Sequence, residues 1–483
     1  MRKLFIILFI LLYLSTPSFA GGKEYIQSNI DYILSDPSFY GGKVSVYIKS
    51  LKTGEVLYDY NKDLSLAPAS NMKIFTTATA LYKLTDTFRF DTNIYGIASN
   101  GKVEGDLIIY SNGDPTHCIY FYKPPVKIFE DMAQKLYLQG IRIIEGDLIA
   151  DDSFFDRNLR GKGWKDEYKF ESYSAEISPL SLNENLVDIR VSPGKSYNLP
   201  AIITLFPPAG IFSIVNNAVT SHNDETISVI PVENSNKIII SGSIPADYST
   251  METYVNVHQP ALYTASAFAR ILKNKGIKIK GQVRLIDLKK ESYKRNDLVL
   301  LCSHKSPPLT QAIAYINKES DNLSAEMLLK TMGGIYNGYG TSENGSSIVK
   351  GFLGYIGTDV KSLTMADGSG LSHENRVTAR IIVDLLTFMY RSEYRKSFMD
   401  SLSVAGVDGT LKKRLRGTAA KGNLKGKTGT LNGVSALSGY VTTSYGQSLV
   451  FSIVSNNVPE WAAKDGEDRI VGILAGCKKP VDR

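Results

Sequence analysis

The apolar positions change their period along the chain, and each change marks an element. Val44, Val46 and Ile48 alternate with their neighbours, Lys52-Thr53-Gly54-Glu55 supplies turn residues, and Val56-Leu57-Tyr58 follows. That pattern predicts a hairpin over 43–60. The spacing then becomes three and four: Ile74, Phe75, Ala78, Leu81 and Leu84 form one stripe, which predicts a buried helix entered between Pro68 and Ser70. From about Phe90 short apolar runs separated by turn residues predict strands at 92–98, 106–110, 141–144, 147–150, 187–191, 201–205, 227–232 and 237–241, with one helix over 126–138. Leu262, Ala265, Phe268, Ala269 and Leu272 predict a helix over 259–275 with Pro260 in its first turn, and 277–286 reads as a strand.

Beyond about Leu300 helices return. The periodicity predicts them at 309–317, 323–332, 378–391 and 467–475, with strands at 435–442 and 448–455 around Tyr445-Gly446. The simplest organisation is one domain made of 21–90 and 291–483, a mixed sheet covered by helices, interrupted by a β-rich insertion over 91–290 with an inner insert at about 115–170.

Composition narrows the class. Hydrophobic residues make up 43% and charged residues 21%, the balance of a folded globular protein. Arg2 and Lys3, the apolar run from Leu4 to Leu14, and Ser18-Phe19-Ala20 predict a cleaved leader over 1–20 and export to the periplasm or the cell-wall side. The net charge of +7 becomes +5 without Arg2 and Lys3, and the one short basic cluster is Lys412-Lys413-Arg414-Leu415-Arg416. That is a solvated face, not a nucleic-acid footprint, and at most a loose attraction to a membrane surface. Three cysteines (118, 302 and 477) make no disulfide framework, although one bridge with one free thiol is open in an oxidising compartment. No cysteine spacing and no His-x-x-x-His pair suggests a metal site. No cofactor is expected.

Candidate chemistry sits where the first helix begins. Ser70 and Lys73 are three residues apart, so on a helix they share one face. A serine hydroxyl needs an adjacent base, and an amine whose pKa is lowered by burial or a second cation can serve. Ser-x-x-Lys also occurs at Ser99, Ser192 and Ser347. The first two of these read as turns, and the third has no comparable buried helix after it. Two further motifs complete a set: Ser320-Asp321-Asn322 between two predicted helices, and Lys427-Thr428-Gly429-Thr430 before the strand at 435.

In that order the three motifs resemble those of the penicillin-recognising serine enzymes. The long gap from Ser70 to Ser320 is similar to that of class C low-molecular-mass penicillin-binding proteins, D-alanyl-D-alanine carboxypeptidases and endopeptidases. Gly113-Asp114-Pro115, Asp151-Asp152-Ser153-Phe154-Phe155, Asn183-Glu184-Asn185, Ser320-Asp321-Asn322-Leu323-Ser324-Ala325-Glu326, Asp367-Gly368-Ser369-Gly370-Leu371-Ser372, Ala405-Gly406-Val407-Asp408-Gly409-Thr410-Leu411 and Gly426-Lys427-Thr428-Gly429-Thr430-Leu431 extend the likeness, whereas 116–126 matches nothing in it. The resemblance implies an α/β (α+β) fold: a β-lactamase/D,D-peptidase-like catalytic domain, built on a mainly antiparallel sheet with flanking helices and split by a β-rich two-domain insertion.

It also implies roles. Ser70 would attack the D-Ala-D-Ala carbonyl and carry the acyl group. Lys73 would take its proton, with Ser320 and Lys427 as the rival relay. Asn322 would hold the substrate or Lys73, and Lys427 would also lower the Lys73 pKa. Thr428 and Thr430 would bind the terminal carboxylate, Gly429 would let the strand approach, and the N–H groups of Ser70 and Thr430 would form the oxyanion hole. The expected partners are peptidoglycan peptides, with β-lactams as acylating inhibitors. Two other readings compete: a β-lactamase or esterase on the same scaffold, and a non-catalytic penicillin-binding wall scaffold. The intact motif set argues against the second. Oligomeric state and the balance of carboxypeptidase and endopeptidase work are open.

Overall fold

The computed structural model describes residues 21–222, 224–288 and 298–482. The expected leader over 1–20 lies outside the described residues.

Six strands form the central sheet in the order Ser403–Val404, Lys425–Leu431, Val434–Thr442, Ser448–Asn456, Lys43–Ser50, Val56–Tyr60. Every pairing in it is antiparallel, not mixed as the hydrophobic pattern alone suggested. The two segments that the sequence separates by more than 300 residues meet along Lys43–Ser50 and Ser448–Asn456, paired from Lys43–Asn456 to Ser50–Leu449. Both faces of this sheet are covered. Along Val434–Thr442, Leu437 and Val441 point into a core with Ile26, Ile30, Ile33, Ile470 and Leu474. Ala436 and Tyr440 point into the other core with Phe75, Leu81, Ile313, Leu328 and Leu386. Side chains alternate faces along a strand, so a strand buried on both sides reads as an unbroken apolar run.

Helices Gly22–Leu34 and Glu460–Gly476 cover the first face. Met72–Leu84, Leu309–Lys318, Asn322–Asn337 and Ala379–Arg391 cover the second. Residues 91–305 build the other four sheets around one further core. Its five-stranded sheet runs Val283–Leu285, Leu148–Asp151, Leu107–Ser111, Asp91–Gly96, Val299–Lys305.

Three helices escape the periodicity: Gly22–Leu34, Ser342–Tyr355 and Arg395–Ser401. Ser342–Tyr355 contains three glycines and three serines, residues of low helix propensity. It forms because Thr341 caps it, accepting from the Asn344 N–H, and because Val349, Phe352 and Leu353 are buried. The last helix begins at Glu460, about two turns before the expected start, directly after Pro459. The expected strand at 277–286 is two short ones, Lys278–Ile279 and Val283–Leu285. The polar strands Ser213–Ser221 and Met251–Asn256 are additional. All three cysteines are free and buried, so no bridge forms.

Candidate active site

Ser70 lies in the single 3-10 turn Ala69–Asn71 that leads directly into the Met72–Leu84 helix. Ala69 has a positive φ of 46°, a conformation that L-residues with a Cβ rarely adopt. Two neighbours hold this bend. Asn71 Nδ2 donates to Ser438 Oγ at 2.9 Å, fixing the turn to the central sheet. Gly370 passes so close that a Cβ there would lie 1.9 Å from the Ala69 carbonyl oxygen, and its own φ is 86°. Only glycine meets both demands.

Lys73 follows one turn later and is fully buried. Its Nζ is 3.0 Å from Ser70 Oγ, 2.6 Å from Asn322 Oδ1 and 2.7 Å from the Ser369 carbonyl. Burial lowers its pKa to about 8, against the opposing pull of Asp321, Asp367 and Glu326. Of the two causes expected from the sequence, burial or a second cation, desolvation is the leading one. A neutral amine keeps two N–H bonds and one lone pair. Asn322 Oδ1 and the Ser369 carbonyl can only accept, so they take the two hydrogens, and the lone pair is left for the Ser70 hydroxyl.

The second triad forms at the junction of two helices. Leu309–Lys318 ends and Asn322–Asn337 begins, with Ser320 between them at φ 62°. Asp321 caps the second helix by accepting from the Ser324 N–H at 2.7 Å. That cap turns Ser320 and Asn322 toward the cleft. Lys427 Nζ donates to Ser320 Oγ at 2.9 Å and to the Thr428 carbonyl at 3.0 Å. Burial, then the nearby Lys73, keeps the Lys427 pKa well below the usual lysine range. Asn322 also donates through Nδ2 to the Tyr173 carbonyl at 2.8 Å.

The strand Lys425–Leu431 forms the third wall. A Cβ on Gly429 would lie 2.7 Å from the Pro68 carbonyl and 3.0 Å from the Ser70 nitrogen, so its missing side chain lets the strand run against the Ser70 turn. Thr428 Oγ1 donates to Thr410 Oγ1 at 2.8 Å. Thr430 pairs with Ser435 in the central sheet. All eight residues singled out from the sequence thus lie on the walls of one site. A cleft of about 270 Å³ opens beside Ser320, Asp321 and Asn322, with Tyr173, Glu184 and Tyr254 on its far side.

The chain matches the D-Ala-D-Ala carboxypeptidase 3 (S13) family over residues 26–477. It belongs to that family. It is a serine D,D-peptidase. It is 35% identical to the D-alanyl-D-alanine carboxypeptidase of Actinomadura sp. (strain R39) over 447 residues, covering 89% of this chain and 81% of that one. It is 28% identical to the D-alanyl-D-alanine carboxypeptidase DacB of Haemophilus influenzae over 84% of each chain. The crystal structure of penicillin binding protein 4 (dacB) from Haemophilus influenzae superposes with a TM-score of 0.75 at 26% identity, covering 89% of this chain and 94% of that one.

The S13 chain also places residues whose part the sequence did not reveal. Glu326 is fully buried behind the site and accepts from the Gly368 and Ser369 N–H groups at 2.9 and 2.7 Å. Burial, then the charge of Asp367, pushes its pKa up to about 7. Asp367 accepts from the N–H groups of Gly370 and Ser372, from Asn375 Nδ2 and from Trp164 Nε1 at 2.6 to 2.9 Å. Together these carboxyls shape the 367–372 loop so that the Ser369 carbonyl faces Lys73. The motif Asp367-Gly368-Ser369-Gly370-Leu371-Ser372 and the Ser320–Glu326 run that ends on Glu326 are visible in the sequence, but nothing local pairs the two, and Trp164 carries no pattern that reveals it.

Proposed function

We propose that Ser70 is the nucleophile, that Lys73 is its base, and that the substrate is the D-Ala-D-Ala end of a peptidoglycan stem peptide or a D-Ala cross-link. The observation that carries the reading is the three-way contact of the Lys73 amine, which leaves a lone pair on Ser70 Oγ. Lys73 takes the hydroxyl proton as Ser70 attacks the carbonyl carbon. The negative charge that develops on the carbonyl oxygen falls between the Ser70 and Thr430 N–H groups, where one such donor contributes about 3–4 kcal/mol to the barrier. Ser320, held by Lys427, relays the proton that Lys73 took to the departing amine, so that Lys73 is neutral again. Thr428 and Thr430 bind the terminal carboxylate, which Lys427 attracts. Water then attacks the acyl-enzyme, and Ser70 recovers its proton.

A β-lactam ring presents the same amide and acylates the same oxygen. The Haemophilus influenzae protein of the same fold has been crystallised in complex with a β-lactam. We further read 1–20 as a leader that sends the enzyme to the periplasm or cell-wall side, and 91–290 as an insertion into the catalytic domain.

The test is the intact mass of the mature protein after incubation with benzylpenicillin. The expected result is one covalent adduct on the wild type and none on Ser70→Ala, with release of D-alanine from a D-Ala-D-Ala peptide lost in the variant. An adduct that persists on Ser70→Ala would overturn the assignment. Cross-linked wall fragments, assayed beside the linear peptide, measure the balance of endopeptidase to carboxypeptidase work.

A further inference from the structure

Away from Ser70, the turn after the strand Leu107–Ser111 buries a carboxylate and two imidazoles together. Asp114 and His117 are fully buried and His304 is half-buried, and one ligand atom from each lies within 4.8 Å of the others. Asp114 Oδ1 is fully engaged, accepting from the Thr116 N–H at 2.9 Å and the Thr116 hydroxyl at 2.7 Å. Oδ2 is 3.0 Å from His117 Nε2, yet no hydrogen-bond donor is aligned on it.

The tautomer of His117 sharpens this. Its Nδ1 is 3.1 Å from the Ser181 carbonyl oxygen. A carbonyl only accepts, so Nδ1 carries the proton and the neutral ring turns a lone pair from Nε2 toward Oδ2. Two acceptors at that separation repel unless a cation lies between them. The Thr92 hydroxyl, 3.4 Å from Nε2, is a weak donor at best. A proton on Nε2 would need the aligned approach that is missing. His304 adds a third donor atom. Tyr122 Oη orients its ring from 3.0 Å.

We propose that Asp114, His117 and His304 form a zinc site, with water as the fourth ligand. Two imidazoles and a carboxylate suit a borderline divalent ion. Two ligands at ~2.1 Å on a tetrahedral zinc ion lie ~3.4 Å apart, and the 3.0 Å between Asp114 Oδ2 and His117 Nε2 is close to that edge. The His117–Ser181 contact is the second shell that fixes a ligating imidazole. The ion would tie the 113–122 turn to the strand Val299–Lys305. It would also steady the base of the catalytic site, because Tyr120 and Phe121 pack on Tyr315, with ring centroids 4.6 and 5.5 Å apart. Tyr315 lies on the helix that ends just before Ser320.

The test uses the untagged mature protein purified without chelators. Elemental analysis should find about one zinc per chain. Chelation should lower the Tm by about 5 °C, with recovery on adding zinc. Cobalt soaked into the stripped protein should give a visible absorption band. His304→Gln, at the most exposed of the three positions, and Asp114→Asn should each lose the metal and the cobalt band while keeping the wild-type circular dichroism. The proposal is overturned if the wild type holds no more zinc than His304→Gln, if its Tm ignores chelator, or if cobalt gives no band. Any of these results would leave a proton, not a metal, between Asp114 and His117.

Discussion

The central sheet and the three-stranded sheet Ser213–Ser221, Lys237–Pro245, Ser228–Pro231 differ in how much they hide. In the first, Val434–Thr442 and Ser448–Asn456 are buried along almost their whole length. In the second, exposed and half-buried positions dominate every strand. The covered sheet can therefore bring Lys73, Lys427 and Glu326 into a site closed to bulk water, where desolvation reshapes their protonation. The open sheet has no such leverage on a charged group. Chemistry belongs to the first region, and tolerance of substitution to the second.

The sharpest way to break this contrast is to remove the buried amine. Lys73→Met keeps the volume and the burial but deletes the nitrogen lone pair that faces the Ser70 hydroxyl. Acylation by benzylpenicillin should fall by about 10⁴-fold or more, as when a nucleophile loses its base, while the Tm does not drop. A loss under about tenfold would give the base role to Ser320 and Lys427.

A smaller blow falls on the support of the turn. Gly370→Ala places a methyl group where 1.9 Å separates it from the Ala69 carbonyl, in a conformation that alanine avoids. The Ser70 turn must shift. Acylation should slow by about 100-fold, the cost of a misplaced reacting group, and stability should fall by about 3 kcal/mol. Unchanged rates would show that the loop gives way without disturbing Ser70.

The pH profile follows from burial of Lys73. Its protonated form has no lone pair, and its pKa is about 8. Raising the pH through 8 removes that proton, so the acylation rate should climb about tenfold per unit below 8 and level off above about 9. A profile already flat from pH 6 upward would take the base role away from Lys73.

Much of this site is legible in the sequence because its parts are local. Ser70 and Lys73 share a helix turn, Ser320 to Asn322 form one cap, and Lys427 to Thr430 form one strand edge. The alternation at 435–442 and 448–455 reveals the two strands, but Ser435, Ser438 and Thr442 hide that both faces of their sheet are covered. What stays hidden is long-range or weakly patterned. Glu326 acts through a loop more than 40 positions away, and Trp164 reaches Asp367 across 203 positions. The Ser342–Tyr355 helix is poor in helix formers and depends on burial. The strand Ser213–Ser221 has one polar face and pairs in parallel with Lys237–Pro245, so its own residues give little alternation to read.

One chemical change made in both regions measures the difference directly. Ile453 is 2% exposed in the middle of the Ser448–Asn456 strand, packed in the core beside Val46 and Leu437. Ile230 is 53% exposed on the edge strand Ser228–Pro231. Threonine keeps the β-branch in each case, so strand propensity is preserved. At 453 the change removes buried methyl groups and leaves a hydroxyl in an apolar core, which should cost about 2–3 kcal/mol. At 230 the hydroxyl meets water, and the cost should stay within about 0.5 kcal/mol. Urea unfolding of both variants at pH 7 gives the two midpoints. If they move together, residues 213–245 are covered by a further contact, and burial in this chain alone no longer separates the region that does chemistry from the region that does not.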